Sequence, residues 1–461
     1  MIASLALVAC LVLLVAGVWW IWQNRQGLSG QASSLLDRLP IARGAEASAT
    51  PLPSQAVAQA PLATLVPATP TPTITLTPPP TPTVTTSPTV THTLAPTWTS
   101  LPPVTATPTQ VYTLVPVTPC ISYYDETNGN LKFACQLARH SWTVETVDST
   151  ENVGLYTSLA FDSRGEPHIS YFDKSNGILK YAHKSTAGWD IERVDESGSA
   201  GWYSSLALGG DDQPWIAYYV ASSRQIRLVH RQEMTWQALE VVTLAKEAPD
   251  QMRISLKLDR QGKPLLAFYD PQDGHLKLAA WDGIQWKIEA VDNSPRVGGF
   301  CSLALDKGGN PGLSYFDLSK AYLKYAHKVN GQWNIELIDA AGEVGKYTSL
   351  AFDSQGLPHI SYFDEDRDDL RYAHWNGKSW NAAKWVDTYT RTGTYTSIAL
   401  DKEDRPYIAY YSLDARALRV VAWTGYAWDP WTVDQAGKVG LYPSIAFQYE
   451  RLVPSGSPGG E

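Results

Sequence analysis

The chain repeats itself. Residues 156–195 read YTSLAFDSRGEPHISYFDKSNGILKYAHKSTAGWDIERVD, and residues 347–387 return as YTSLAFDSQGLPHISYFDEDRDDLRYAHWNGKSWNAAKWVD. The serine that opens each SLAFD-like run stands at Ser158, Ser205, Ser255, Ser302, Ser349, Ser397 and Ser444, at separations of 47, 50, 47, 47, 48 and 47 residues. A near-constant period of this length means one supersecondary unit per repeat, stacked on its neighbours to bury a shared core.

Each unit holds four short segments. Residues 158–162 (SLAFD) alternate polar and apolar, the period of a strand. Residues 163–167 (SRGEP) supply turn chemistry, with a glycine free to take positive φ and a proline that gives up a ladder donor. HISYFD (168–173) is a second strand, and the turn at 174–177 leads into a third, LKYAH (179–183). The fourth starts at a tryptophan that recurs as Trp142, Trp189, Trp236, Trp286, Trp333, Trp380 and Trp428. No segment has a helical period. Four strands per repeat, arrayed about an axis, make the blade of a β-propeller.

Counting segments gives the closure. Second, third and fourth strands occur seven times each, beginning at residues 121–125, 131–134 and 142–148. No SLAFD-like run precedes Pro119, whereas one stands alone at the far end as Ser444-Ile445-Ala446-Phe447. The expected architecture is therefore all-β: a seven-bladed β-propeller over residues 119–448, its ring closed by a C-terminal strand completing the N-terminal blade. Such closure removes open sheet edges.

The flanks are of other kinds. Residues 1–23 are almost uninterruptedly apolar, long enough to span a bilayer, with Trp19, Trp20 and Trp22 placed for its interface. An uncleaved signal-anchor is the expectation. A cleaved signal peptide and a lipidated Cys10, after Leu7-Val8-Ala9, are the alternatives. Arg25 does not settle the orientation. Residues 24–118 read as a disordered juxtamembrane segment and stalk. From 51 onward the stalk is dominated by Thr and Pro, a composition that favours extended polyproline II over a packed core. At about 3.1 Å per residue it reaches roughly 200 Å. Residues 449–461 read as a disordered tail. Together these place the propeller outside the cytoplasm on a single-pass membrane protein.

Cysteine usage agrees with that compartment. Aligned on the repeat, Cys120 falls where His168 stands and Cys135 where His183 stands, which puts them directly opposite each other on adjacent strands, at disulfide distance. Cys301 replaces the threonine of YTS and is expected to be a buried free thiol.

Chemistry is sparser. His168/His183 and His359/His374 are cross-strand pairs, but neither shows a third ligand in sequence, and the same positions elsewhere hold Leu265/Ala280 or Tyr407/Ala422. They read as packing; no metal site and no cofactor is expected. Acidic residues recur at the end of the first strand (Asp162, Asp259, Asp306, Asp353, Asp401) and of the second (Asp125, Asp173, Asp270, Asp317, Asp364). Paired carboxylates can hydrolyse glycosides, but recurrence blade after blade is the habit of turn-capping aspartates. No phosphate loop or nucleophile elbow is present, and a net charge of −9 argues against nucleic acid.

One position breaks this uniformity. The residue that opens the first strand is Tyr156, Tyr203, Arg253, Phe300, Tyr347, Tyr395 or Tyr442: six aromatics and one arginine. In a propeller these seven would ring one mouth of the channel, where aromatic faces beside carboxylates suit a glycan or a peptide; inter-blade packing is the competing explanation. Arg253 follows the one connection that is three residues longer than its equivalents, 244–252.

The unit SLAxDxxGxPHISYxDxxxxxLKYAxxxxxxWxxExVD resembles a repeat of surface-anchored bacterial and archaeal propellers without assigned function, which implies a surface protein. Asp162-x-x-Gly165 is more distantly similar to the Asp-box propellers of sialidases, although the full Ser-x-Asp-x-Gly-x-x-Trp box is not reproduced. The expected function is non-catalytic binding of a glycan, peptide or protein at the channel mouth. A glycoside hydrolase or lyase using mouth carboxylates, and a cell-envelope spacer with no small ligand, are the alternatives. Oligomeric state is not legible.

Overall fold

A computed structural model describes residues 112–454 apart from 116, 388–390 and 449–450. The apolar segment 1–23, the stalk as far as residue 111 and the last residues of the tail lie outside the described residues. Every element among the described residues is a β-strand, and seven antiparallel four-stranded sheets succeed one another along the chain. The second blade shows the pattern: Val153–Phe161, Pro167–Asp173, Ile178–Ser185 and Gly188–Asp195, paired in that order. The first blade takes its innermost strand from the other end of the chain. Val439–Gln448 pairs with Thr118–Asp125, Ser444 facing Ser122, followed by Asn130–Ala138 and Ser141–Asp148. This is a seven-bladed β-propeller closed by strand exchange.

Burial explains the sequence patterns. Second strands such as Pro167–Asp173 are buried at every residue, because both sheet faces pack against neighbouring blades. That is why PHISYFD does not alternate. The cores lie between blades: Leu131, Phe133 and Cys120 of the first pack against Leu159, Ile169 and Tyr171 of the second.

Two polar devices join blade to blade. The repeat serine accepts a hydrogen bond from a backbone N–H of the next innermost strand: Leu206 N–H to Ser158 Oγ at 3.0 Å, Leu256 to Ser205, Leu303 to Ser255, Leu350 to Ser302, Ile398 to Ser349, Ile445 to Ser397 and Leu159 to Ser444. The circuit closes on itself.

Further out, the aspartate that ends each fourth strand takes a tyrosine hydroxyl and a cation from the following blade. Asp148 accepts from Tyr171 at 2.7 Å and Lys180 at 2.5 Å; Asp339 accepts from Tyr362 and Arg371, both at 2.8 Å. Asp195, Asp292, Asp387 and Asp434 repeat the arrangement. The junction between the third and fourth blades lacks it. There Val242 stands for the aspartate and Phe268 for the tyrosine, and Lys277 turns to Asp273 of its own blade at 2.5 Å.

Cys120 and Cys135 face each other in register and form the expected disulfide; Cys301 is buried and free. One pairing extends the ordered chain beyond the 119–448 expected from the repeat. Tyr112–Val115, assigned above to the stalk, runs antiparallel to Arg451–Pro454, assigned to the tail, and Thr118 already belongs to the first blade. Both segments lie outside the repeat, so periodicity did not mark them, although YTLV and RLVP contain the β-branched and aromatic residues that favour strands.

Candidate binding site at the channel mouth

The start of each innermost strand is irregular in six blades, and the irregularity sets the mouth. In Val344–Phe352 the register with the second strand slips between Val344 and Ser349. Within that bulge Gly345 has φ of +108°, and a Cβ there would meet Leu323 Cα at 2.8 Å. Only glycine fits. Two residues on, Tyr347 is left-handed at φ +51°, and Tyr156, Tyr203, Phe300, Tyr395 and Tyr442 lie between +51° and +56°. Bulky residues rarely occupy this region, at a cost of about 1–3 kcal/mol each. The conformation turns six aromatic side chains towards the axis.

All seven sequence-predicted residues come together. Tyr156, Tyr203, Arg253, Phe300, Tyr347, Tyr395 and Tyr442 line one cavity of about 160 Å³. Neighbouring rings touch: Tyr347–Tyr395, Tyr395–Tyr442, Tyr442–Tyr156 and Phe300–Tyr347 have centroids 4.6 Å apart, Tyr156–Tyr203 4.8 Å. Packing and mouth-lining, the two readings weighed from sequence, thus describe the same side chains. The rings pack on one another and also wall the opening.

Arg253 occupies the gap in this circle. Its strand, Ile254–Leu258, pairs without a bulge, and Arg253 is not left-handed. Its guanidinium carbon lies 5.2 Å from the Phe300 centroid, 5.3 Å from Tyr203, 5.8 Å from Tyr347 and 6.0 Å from Tyr156. Its hydrogen bonds go from one Nη to the carbonyls of Asp250 and Met252, at 3.0 and 2.6 Å. Among the described residues no carboxylate pairs with it. The longer connection before it is anchored by fully buried Met252, by Tyr203 Oη donating to the Pro249 carbonyl at 3.3 Å, and by Phe300 N–H donating to the Gln251 carbonyl at 2.7 Å.

A second tier, which the sequence reading passed over, holds the ring. In three blades the residue after the mouth aromatic reaches back to the carbonyl of the preceding blade's mouth residue. Ser204 Oγ donates to the Tyr156 carbonyl at 2.8 Å, Thr396 Oγ1 to that of Tyr347 at 2.7 Å, and Cys301 Sγ to that of Arg253 at 3.4 Å. Burial pushes the Cys301 thiol up to about 12, so it is a packing group and not a thiolate. Burial likewise raises the Tyr203, Tyr347 and Tyr442 phenols, which stay neutral donors.

The carboxylates do less than their position suggests. Asp125, Asp173, Asp270, Asp317 and Asp364 each accept a backbone N–H of the turn that follows, as Asp173 does from Asn176 at 3.0 Å. Asp162, Asp259, Asp306, Asp353 and Asp401 each accept two; for Asp353 these are Gln355 and Leu357, at 2.9 and 2.7 Å. They are turn caps. His168 faces His183, and His359 faces His374, across their strand pairs as expected. The sequence showed no third ligand; in the folded chain Asp162 Oδ2 lies 3.8 Å from His168 Nε2.

No family model matches the sequence, and no curated protein is similar to it. Solved structures share the fold. The periplasmic gluconolactonase PpgL of Pseudomonas aeruginosa aligns with a TM-score of 0.50 at 14% identity, covering 73% of this chain and 99% of its own. A protein from Lactobacillus plantarum aligns with a TM-score of 0.50 at 11% identity, covering 72% of this chain and 100% of its own. At these identities the likeness establishes the β-propeller and nothing of its chemistry.

Proposed function

We propose that the protein is a binding module of the cell surface: a single-pass, stalked β-propeller whose aromatic mouth takes an anionic group of a glycan or peptide onto Arg253. The apolar and Thr/Pro-rich segments ahead of the propeller and the Cys120–Cys135 disulfide support the extracytoplasmic placement, as does the resemblance of the repeat to surface-anchored propellers.

The observation that carries the ligand class is the state of Arg253. A guanidinium stands among four aromatic rings in a protein of net charge −9, yet its partners are carbonyls alone. A guanidinium beside a low-dielectric aromatic wall binds a carboxylate, sulfate or phosphate in fork geometry, and the ring faces around it suit a sugar or a side chain. Six left-handed aromatics add support, since strain of this kind concentrates at functional sites. Catalysis gains nothing from the mouth carboxylates, which already cap turns.

An array of acidic and neutral glycans and short peptides, probed with the full-length protein, tests this reading. Acidic ligands should be retained, and Tyr347→Ala should weaken them at least tenfold with the circular dichroism spectrum unchanged. Retention of neutral ligands only, or of none, would remove the basis for the assignment.

A further inference from the structure

On the face opposite the mouth, at the other end of the same innermost strand, the second blade gathers a different set of groups. Asp162 lies six residues beyond Tyr156, roughly 20 Å along an extended strand. The turn that it caps brings its carboxylate beside His168 of the second strand, and His183 stands opposite His168 on the third. The two imidazole centroids are 4.3 Å apart. One donor atom from each of Asp162, His168 and His183 falls within 4.8 Å of the others.

Neither histidine has spent the relevant nitrogen. Nε2 of His168 and Nε2 of His183 are both buried without a hydrogen-bond partner, and His168 is only 4% exposed. A buried imidazole nitrogen without a hydrogen bond costs about 1–3 kcal/mol; His168 Nε2 is in that state 3.8 Å from the buried Asp162 carboxylate, and His183 Nε2 converges on the same point. Nδ1 of His168 is in hydrogen-bond contact with the Tyr181 hydroxyl. A partner at Nδ1 is what fixes the ring and leaves Nε2 as a ligand in histidine metal sites. Glu166 supplies a fourth donor, its Oε2 3.3 Å from His183 Nε2.

We propose that Asp162, His168 and His183, with Glu166, form a binding site for a divalent transition metal of the zinc type. Two imidazoles and carboxylate oxygens are a zinc donor set. Ligand atoms of a tetrahedral site with bonds of about 2.0–2.1 Å stand roughly 3.4 Å apart, so the donors close by about an ångström on loading. The side chain that gives way is Arg164. It now bridges the two carboxylates, with Nη2 3.0 Å from Asp162 Oδ2 and 2.8 Å from Glu166 Oε2, and it is 65% exposed. A cation between the carboxylates replaces the charge that Arg164 provides. His168 and His183 also line a cavity of about 410 Å³ shared with Asp212 and Arg231 of the third blade, so the metal would keep a position open to that cavity.

The sixth blade is a built-in control. Asp353, His359 and His374 repeat the three main donors, with Asp353 Oδ2 3.6 Å from His359 Nε2. There, however, Leu357 stands for Glu166 and Gln355 for Arg164, and the imidazole centroids are 5.6 Å apart. In the fifth blade His327 simply pairs with Asp306 at 3.0 Å. Among the described residues, only the second blade assembles the full set.

The test is equilibrium dialysis of chelator-stripped full-length protein against Zn²⁺, with Co²⁺ as a spectroscopic stand-in. The wild type should take up a single equivalent and give visible Co²⁺ bands. His183→Gln, at a partly exposed position that tolerates substitution, should lose both, while His374→Gln keeps both. Arg164→Ala should bind about tenfold more tightly, because the guanidinium no longer competes for the Asp162 and Glu166 carboxylates. No uptake by folded wild type, or uptake that His183→Gln leaves unchanged, overturns the proposal.

Discussion

Arg253 and Gly345 show how much one side chain decides in a repeated structure. Six of the seven blades place a glycine two residues before the mouth aromatic, because the chain there passes against the backbone of a leucine that begins a third strand. Gly154 against Leu131 and Gly440 against Leu418 are as close as Gly345 against Leu323. Replacing Gly345 with alanine forces a clash with backbone, which cannot swing aside. The substitution should cost at least about 1–3 kcal/mol, read as a lowered midpoint in chemical denaturation. The fourth blade has no such glycine and no bulge, and it is there that an arginine replaces the aromatic. The mouth residues were legible in the sequence because the repeat aligns them. The left-handed backbone was not, since it follows from the approach of a leucine more than twenty residues earlier. Arg253 stood out in the alignment only as an exception; that its partners are carbonyls alone is a fact of the fold.

The elements are held together by side chains that the repeat displays but does not explain. The tyrosine of SYFD, the lysine of LKYA and the aspartate of the closing VD recur together, and the structure shows why: each triad spans two blades. Burial alone would raise the Asp148 carboxyl, but hydrogen bonds from Lys180, Thr150 and Tyr171 outweigh it and hold it below the usual carboxylate range. Asp292 and Asp434 are depressed in the same way, with Lys324 and Lys132 as the leading donors against burial. A carboxyl depressed on folding stabilises the protein above its unfolded value of 3.8 and loses that contribution as pH falls through the folded value, because the unfolded chain takes up protons first. Stability should therefore be flat near neutrality and drop steeply below about pH 4, and Asp148→Asn should shallow the drop in an acid titration followed by circular dichroism. At pH 7 Asp148→Ala leaves Lys180 buried without its main partner, a loss of about 3–5 kcal/mol. The signal for these triads was present in sequence as joint recurrence, and as the joint loss of aspartate and tyrosine at Val242 and Phe268. Hydrophobic periodicity does not register it.

At the scale of the whole molecule, the ring is a circuit of seven seams, and one blade is assembled from both ends of the repeat region. The count of strands foretold this seam, since an unpaired SLAFD-like run at one end answers a blade short of one at the other. Deleting residues 439–461 should leave the first blade with an open inner edge and abolish the cooperative thermal transition, whereas reducing Cys120–Cys135 should lower stability by about 3 kcal/mol for a loop of this size and leave the ring closed. What the repeat could not foretell is the pairing of 112–115 with 451–454, and that the arginine the alignment marked as an exception has backbone carbonyls as its hydrogen-bond partners. The central claim is that this arginine makes the mouth an anion-reading site. The most direct measurement is a titration of full-length wild type and Arg253→Gln with matched acidic and neutral forms of one retained glycan or peptide, followed by tryptophan fluorescence, since Trp202 lies 5.7 Å from Tyr156 at the mouth. The account predicts that wild type prefers the acidic form at least tenfold and that Arg253→Gln loses this preference. Equal binding of both forms by wild type, or an acidic preference that survives Arg253→Gln, would contradict it.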